Sequence, residues 1–373
     1  MGILPFNMSV DIRQSAHKMA VVDANLFPAG YNNLSLDARR LASQKIKVFF
    51  DQQLPSARRI LLITEEHTRN TWYLENVLTL QEIIETAGFE VVLASFLDIE
   101  TTETVVSLPT ASGRTVTICY AKPLLQAILN GDQVFDAGIL NNDLTVGIPP
   151  FLKQLPFPLF PSMYAGWHAR RKSQHFIYTN ELIHDICVPQ GKDPWLMSCL
   201  FSTVDDVDIN ELSSREALAQ ASHELITKIS VKYKEYGIET KPFVFIKGDA
   251  GTYGMGVTSI EDPLEVLNFN RKLRNNLAKG KNGQVLDQFI LQEGVPSIHQ
   301  VEGHTSEPCI YLINNEIVGG FNRVNTQKSD RENLNSQGMS FLPMETDMSL
   351  YDEISKIAGL ACAKEIEALE ALT

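Results

Sequence analysis

The 373-residue chain has few cysteines, and no spacing between them is typical of a zinc site. Cys119, Cys187, Cys199, Cys309 and Cys362 are scattered and odd in number, and none forms a C-x-x-C pair. The pattern argues against a disulfide framework and against zinc held by thiolates. We therefore expect the protein to work in a reducing compartment.

Long apolar runs and positive charge are also scarce. No uninterrupted apolar segment approaches the length of a membrane span, and residues 1–13 lack the apolar core and cleavage pattern of a secretory signal. The net charge of −13 disfavours a nucleic-acid partner, because such a partner is held largely through its phosphates. We expect a cytoplasmic protein with neither a membrane nor a nucleic-acid partner.

Several common nucleotide-binding motifs are missing. No G-x-x-x-x-G-K-[ST] occurs, which disfavours a P-loop NTPase, and the absence of H-R-D and D-F-G disfavours a protein kinase. The first apolar strand, near residues 59–64, is not followed by G-x-G-x-x-G, so a dinucleotide fingerprint is absent as well.

The most informative stretch that is present is a glycine loop between two apolar segments. A strand at residues 242–246 leads to Lys247, three glycines follow between residues 251 and 256, and a second strand begins at Val257. Backbone N–H groups of glycines can approach an anion closely, and a lysine adds a point charge beside them. The pattern favours a clamp over polyphosphate, although a tight hairpin with an exposed lysine has the same local sequence.

The first part of the chain shows a βαβ pattern. Residues 59–64 form a continuous apolar run, a helical apolar spacing follows as far as Gly88, and residues 91–94 form a second strand. Five prolines lie between residues 149 and 161, where we place a domain boundary near residue 155. We predict an α/β fold with mixed α+β character, in which residues 1–155 form a Rossmann-like domain on the substrate side.

Polar clusters at predicted strand ends are candidate substrate ligands. Ligands of open α/β sheets bind beyond the carboxyl ends of the strands, and clusters occur near residues 21–34, 65–70 and 141–145. Each alone is more often a turn, and the basic stretch 166–176 is equally typical of a solvated helix face. The substrate candidates are Asp23, Asn25, Asn32, Asn33, Arg69, Asn141, Asn142, Asp143 and Arg170.

The second half predicts further elements. A capping box at Ser213 and Glu216 indicates a helix that ends near Gly237, and a second helix is predicted at residues 263–277. A strand at residues 285–292 ends in Gln-Glu-Gly-Val, a plausible hinge facing adenine. Residues 307–325 predict a hairpin around two asparagines, and residues 331–338 are rich in the oxygen ligands that Mg²⁺ prefers.

The order of these parts resembles the ATP-grasp arrangement, and more closely the glutamate–cysteine ligase family of some proteobacteria. The phrase from Asp249 to Gly256 is far more specific than a generic glycine loop. The similarity extends over nearly the whole chain. The matching phrases lie at residues 22–33, 166–176, 243–257, 292–295, 307–325 and 331–341.

The resemblance implies an ATP- and Mg²⁺-dependent ligase that makes γ-glutamylcysteine, the first step of glutathione synthesis. It implies that residues 156–373 form an ATP-grasp-like, two-lobed domain with a nucleotide lid at roughly 241–295. Lys247 and Arg323 are the implied catalytic residues, for phosphate binding and for charge stabilisation. The implied ATP ligands are Lys247, Asp249, Gly251, Thr252, Tyr253, Gly254, Met255, Gly256, Gln292, Glu293 and Val295. The implied metal ligands are Glu332, Asn333, Asn335 and, more weakly, Glu307.

One departure from the ATP-grasp pattern affects the metal site. Enzymes of the glutathione synthetase kind usually carry Glu-x-Asn on a late strand, whereas this chain has Asn333-Leu334-Asn335. A related ligase with other amino-acid substrates, or a non-catalytic nucleotide-binding module, would share the same clamp. A homo-oligomer is compatible with the sequence.

Overall fold

The computed structural model describes residues 3–97, 103–251, 256–283, 285–344 and 347–373. Within these residues the chain forms three β-sheets surrounded by α-helices, a mixed α/β architecture. The strands, in chain order, are β1 (Asn7–Gln14), β2 (Met19–Asn25), β3 (Arg59–Thr64), β4 (Glu90–Ser95), β5 (Val105–Pro109), β6 (Thr115–Tyr120), β7 (Ala137–Asn141), β8 (Leu159–Phe160), β9 (Phe201–Val204), β10 (Val244–Gly248), β11 (Val257–Ile260), β12 (Phe289–Glu293), β13 (Gln300–Val301), β14 (His304–Ile313), β15 (Glu316–Asn325) and β16 (Met339–Pro343).

The α-helices connect the sheets and cover their faces, and short 3₁₀ helices lie in several connections. The α-helices are α1 (Leu36–Gln53), α2 (Thr71–Thr86), α3 (Ala121–Leu129), α4 (Lys172–Cys187), α5 (Leu212–Glu235), α6 (Arg271–Leu277) and α7 (Asp352–Glu370). The 3₁₀ helices are Tyr31–Asn33, Leu152–Gln154, Met163–Ala165, Val188–Gln190, Pro194–Leu196, Pro263–Asn268, Lys281–Gly283 and Met348–Tyr351. In the described part of the chain, no helix has the length and apolar character needed to cross a membrane.

The first sheet has the strand order β5-β6-β4-β3-β7-β8, and every pair except β5–β6 is parallel. Its central strand β3 is buried on both faces. Ile60 and Leu62 pack with α1 and α2, whereas Leu61 and Ile63 pack in the core that contains α3. A parallel strand covered on both sides needs such a continuous apolar run, and the predicted βαβ unit is confirmed.

The second sheet is antiparallel, with the order β16-β15-β14-β1-β2, and it joins the two ends of the chain. Residues 7–25, which we placed in the first domain, therefore share a sheet with residues 304–343. The predicted hairpin between β14 and β15 is confirmed. Asn314 and Asn315 have φ angles of 52° and 60°, the left-handed conformation that asparagine tolerates and a two-residue turn requires. The division of the chain near residue 155 stays a prediction.

The third sheet has the order β11-β10-β12-β9 and packs against α5. Strands β10 and β11 flank the glycine loop, as predicted. Strand β12 begins only at Phe289, and the helix predicted from Pro263 is divided into a 3₁₀ helix and α6. The predicted capping box is wrong, because α5 begins at Leu212 and Ser213 already lies in its first turn.

Candidate active site

Two adjoining cavities lie where the three sheets meet. The larger has a volume of about 720 Å³ and the smaller about 60 Å³. Asp11, Asp23, Arg323 and Asn335 line both of them. The two cavities therefore share one wall, and a ligand in either one lies next to the same charged groups.

The shared wall is one face of the antiparallel sheet. Along β1, Met8, Val10 and Ile12 point into the core, while Asp11 and Arg13 alternate with them and line the cavities. This alternation was the sequence signal for Asp11 and Arg13, which our predictions missed because we considered residues 1–13 only as a possible signal peptide.

Arg323 on β15 is held between two carboxylates. Its Nη1 donates to Asp11 Oδ2 and to Glu307 Oε1, each at 2.7 Å, and its Nη2 donates to Asp11 Oδ1 at 3.2 Å. Burial lowers the pKa of Arg323, but Asp11 and Glu307 outweigh burial and hold the pKa well above its ordinary value. The guanidinium is therefore a permanent, rigidly oriented charge, and its Nε has no hydrogen-bond partner among the described residues.

Glu307, a predicted metal ligand, is bound by a second arginine. Arg13 Nε donates to Glu307 Oε2 at 2.7 Å, while Arg323 takes the other oxygen. Burial alone would raise the pKa of Glu307, but Arg13 and Arg323 lower it, so the carboxylate is charged. Arg13 also donates to the carbonyl oxygens of Asp330 at 3.0 Å and Glu332 at 2.6 Å. It thereby anchors the loop that carries Asn333.

Lys247 lines the smaller cavity from β10. Val244 and Ile246 of this strand enter the core beneath α5, so Lys247 points the opposite way, as the strand alternation requires. Its Nζ donates to the Val22 carbonyl at 3.0 Å and to Gln292 Oε1 at 2.5 Å. Burial lowers its pKa to about 8, although nearby negative charge works against this shift.

Asp23 lies directly opposite Asp11 on the neighbouring strand. Like charges in this position repel unless each has a counterion. Lys172 Nζ donates to Asp23 Oδ1 at 2.6 Å, and Arg323 pairs with Asp11. Burial would raise the pKa of Asp23, but Lys172 and Lys247 lower it to about 2. The smaller cavity therefore combines three carboxylates with a local excess of cations in an acidic protein.

The glycine loop is described only in part. Gly251 lines the smaller cavity and has a φ of +104°, which favours glycine. Asp249 turns away from it, because its carboxylate accepts hydrogen bonds from Ser173 N at 2.7 Å and Ser173 Oγ at 2.6 Å near the start of α4. Gly256 has a φ of +63° and precedes β11. The predicted ATP ligands Thr252, Tyr253, Gly254 and Met255 lie outside the described residues.

The side chains of the predicted hinge do not line either cavity. Glu293 is buried and accepts hydrogen bonds from Lys18 Nζ at 3.0 Å, Trp195 Nε1 at 3.0 Å and Leu200 N at 2.9 Å. Val295 is buried in a small apolar cluster. Gln292 is joined to the site through Lys247, and its Nε2 has no partner within the described chain. Any contact of Glu293 with adenine would therefore involve its backbone rather than its carboxylate.

The polar clusters that we predicted at strand ends do converge. Asn142 Nδ2 donates to the Thr64 carbonyl at 3.2 Å, and Asp143 N donates to Glu65 Oε1 at 2.9 Å. Lys281, which the sequence analysis missed, lies between Glu65 and Asp143 at 2.8 Å from each. Burial and the nearby Asp143 raise the pKa of Glu65 to about 7.

The predicted asparagines that lie around the loop near residue 30 in space divide into two groups. Asn25 and Asn141 are structural in part, because Asn25 Oδ1 accepts from Phe27 N at 2.9 Å and Asn141 Nδ2 donates to the Pro28 carbonyl at 2.9 Å. Asn32 and Asn33 line the larger cavity, and their side-chain amides make no hydrogen bond within the described residues. Residues of the larger cavity that were predicted as substrate ligands are Asp23, Asn25, Asn32, Asn33 and Asp143.

Arg69 and Arg170 do not line either joined cavity. Arg69 lies on a separate, open depression formed by residues 66–71. Arg170 is buried, and its Nε and Nη2 each bind a Glu365 oxygen at 2.9 Å. We had predicted that Arg170 contacts a substrate. In this structure it instead forms an internal ion pair that joins the segment before α4 to α7.

A buried group around Glu365 also includes His175 and Cys362, whose potential ligand atoms lie within 4.8 Å of one another. The guanidinium of Arg170 already occupies both oxygens of Glu365, which disfavours a cation there. Burial lowers the pKa of His175, but Cys362 and Glu365 outweigh burial and raise it to about 9. The group is an internal ion-pair network.

The predicted metal ligands are similarly divided. Asn333 and Asn335 line the smaller cavity together with Glu307. Glu332 does not line it, because its carboxylate oxygens are bound to Lys328 Nζ at 2.8 Å and Ser329 N at 3.0 Å.

A small cavity lined by cations that adjoins a larger cavity is compatible with a ligase, which has to hold phosphates beside its substrates. The family model of glutamate-cysteine ligase, GshA, matches residues 2–366, and the chain belongs to this family. Its members join glutamate to cysteine, so the chain is a glutamate–cysteine ligase, and the family implies the use of ATP.

One solved structure agrees with the family. A protein from Methylobacillus flagellatus KT, assigned as a gamma-glutamylcysteine synthetase, is 35% identical, with a TM-score of 0.86 over 98% of this chain and 90% of that chain. Two other solved structures are much more distant. D-alanyl-alanine synthetase A from Vibrio cholerae is 11% identical, with a TM-score of 0.40 over 84% of this chain and 82% of that chain. D-cycloserine synthetase DcsG is 12% identical, with a TM-score of 0.41 over 83% of this chain and 82% of that chain. No curated protein matches the chain significantly.

Proposed function

We propose that the enzyme activates the γ-carboxylate of glutamate with ATP and then transfers the γ-glutamyl group to cysteine. In the first step a γ-carboxylate oxygen attacks the γ-phosphorus of ATP, and ADP leaves. In the second step the amine of cysteine attacks the γ-carbonyl carbon, phosphate leaves with the electron pair of the C–O bond, and the amine loses a proton. The products are γ-glutamylcysteine, ADP and phosphate.

The observation that carries this proposal is the shared wall of the two cavities. The smaller cavity contains Lys247, Lys172 and Arg13, which suit phosphates, and the larger has room for two amino acids. Asp11 and Arg323 line both cavities. A phosphate in the smaller cavity and a carboxylate in the larger would therefore meet beside Arg323, which is where phosphoryl transfer requires them.

Arg323 is suited to stabilise developing charge. Its two carboxylate partners fix the guanidinium before substrate arrives, so little reorganisation is needed during the reaction. Because Arg323 lines both cavities, its guanidinium would offer N–H donors to an acyl-phosphate or tetrahedral oxygen. Lys247 lines the smaller cavity from a different sheet and would hold the phosphates, whose charge would favour its protonated form.

The residues around the smaller cavity fit Mg²⁺. Asn333, Asn335 and Asp23 offer hard oxygen ligands beside a phosphate site, whereas Arg323 already binds both oxygens of Asp11. We propose these three residues rather than Glu332 as the ligands, with Glu307 retained as the partner of two arginines. A bound Mg²⁺ would neutralise phosphate charge, while Asp11 would keep Arg323 oriented.

We also propose the finer description of the fold. The parallel sheet built around β3 is the Rossmann-like unit, and the sheets that contain β10 and β15 are the two ATP-grasp-like lobes. The segment at 241–295, with β10 to β12, would act as the nucleotide lid.

The direct test is the release of ADP by purified protein with Mg²⁺ and ATP, with neither amino acid, with each alone and with both. We expect sustained release only with glutamate and cysteine together, and γ-glutamylcysteine in the product mixture. Lys247→Ala should abolish turnover, whereas Lys228→Ala, at an exposed position of α5, should not change it. Nucleotide binding without turnover for any amino-acid pair would contradict the proposal.

A further inference from the structure

A row of aromatic rings leads from the core to the wall of the larger cavity, which Tyr311, Phe321 and Phe341 line. Tyr31, Tyr311, Phe321 and Phe341 contact one another in sequence, with ring centroids 5.2, 5.4 and 4.9 Å apart. Tyr31 is fully buried, whereas Phe341 at the other end is 36% exposed. The row thus ends in a partly exposed ring that lines the cavity.

Phe341, the exposed end of this row, lies beside Arg323. Phe341 on β16 is paired directly with Arg323 on β15, and Met339 is paired with Asn325. Side chains opposite each other in an antiparallel pair lie on the same face. Phe341 and Met339, which is 40% exposed, therefore form an apolar surface next to the guanidinium at which the acyl group is activated.

The charged and amide groups of the site suit the charged groups of the substrates, so one uncharged substrate group remains for the apolar surface. Phosphates and the γ-carboxylate of glutamate require the cations, and α-ammonium and α-carboxylate groups require charged or amide partners. The thiol side chain of cysteine is the uncharged, polarizable group of the reaction, and sulfur packs favourably against aromatic rings and methionine.

We propose that Phe341, together with Met339 and Phe321, forms the subsite for the cysteine side chain and determines the choice of the accepting amino acid. The inference rests on the proposed function, because it assigns one of its two amino acids to one end of the cavity. An apolar subsite accepts a thiol or a methyl group but disfavours a hydroxyl, which would lose its hydrogen bonds to water.

The test compares Phe341→Ala with wild type in steady-state kinetics, with cysteine, L-2-aminobutyrate and L-serine as acceptors and reductant present throughout. Wild type should use the acceptors in the order cysteine, 2-aminobutyrate, serine. Loss of the ring contacts should raise KM for cysteine by roughly 5- to 30-fold and leave KM for glutamate within about 2-fold of the wild-type value. The ratio of kcat/KM for 2-aminobutyrate to kcat/KM for serine should fall. Phe341→Leu should restore most of the preference.

The matched control is Leu342→Ala on the same strand. Leu342 is paired with Asn322 and points to the opposite face, so this substitution should leave KM for cysteine unchanged. If Phe341→Ala raises KM for glutamate as much as KM for cysteine, or if the ratio of 2-aminobutyrate to serine stays as in wild type, the inference is wrong. Either result would leave the ligase activity of the wild type, and hence the proposed function, intact.

Discussion

Replacement of Lys247 by methionine should change the stability of the ligand-free enzyme in a pH-dependent way. Burial lowers the pKa of Lys247 to about 8 from an ordinary value of 10.5. The unfolded chain therefore binds this proton more tightly than the folded chain does, so the charged lysine destabilises the native state. The penalty is fully present below pH 8 and fades as the pH rises from 8 towards 10.5. A difference of 2.5 pKa units corresponds to about 3 kcal/mol.

The assay is urea unfolding of wild type and Lys247→Met at pH 7 and pH 10. The variant lacks the hydrogen bonds of Lys247 to Val22 and Gln292 at both pH values. Their loss therefore adds a nearly constant amount to the difference in unfolding free energy between the variant and wild type. The stability of the variant minus that of wild type should therefore fall by about 2 kcal/mol between pH 7 and pH 10. The exposed control Lys228→Met should show no such change. A constant difference for Lys247→Met would refute the burial of a charged ammonium beside the proposed phosphate site.

Other substitutions test the remaining assignments. Arg323→Lys should lower kcat by roughly 10²-fold or more while KM for ATP changes little, because one ammonium cannot replace the bidentate guanidinium. Arg170→Leu should lower the free energy of unfolding by about 3–5 kcal/mol in denaturant titrations, and a double variant with Glu365→Leu should recover most of the loss. A rise in KM for one of the amino acids without a loss of stability would instead indicate that Arg170 contacts a substrate. Asn333→Ala should weaken Mn²⁺ binding measured by electron paramagnetic resonance in the presence of ADP, and Glu332→Gln should not.

The sequence predicted those parts of the fold that depend on local pattern. The apolar run around Ile60 indicated a parallel strand, and Asn314 with Asn315 indicated a turn that requires left-handed backbone. The strand, lysine and glycines around Lys247 indicated a loop between two strands, and both strands are present; the anion site itself stays a prediction. In each case neighbouring residues carry the physical requirement, so no distant partner has to be known.

The parts that were missed depend on distant pairing. Arg13 and its partner Glu307 are 294 positions apart in the chain, and only the pairing of β1 with β14 places them in one site. Arg170 looked like a pocket cation because its partner Glu365 is 195 positions away. In both cases the role of the arginine follows from tertiary contacts that local sequence does not encode.

The most direct test of the central claim follows an oxygen atom. Glutamate labelled with ¹⁸O in its γ-carboxylate is incubated with the enzyme, Mg²⁺, ATP and cysteine, and the phosphate released is examined by mass spectrometry. If the γ-carboxylate attacks ATP beside Arg323, one labelled oxygen appears in each phosphate for every γ-glutamylcysteine formed. Formation of the dipeptide with unlabelled phosphate would contradict an acyl-phosphate mechanism and the roles proposed for Lys247 and Arg323.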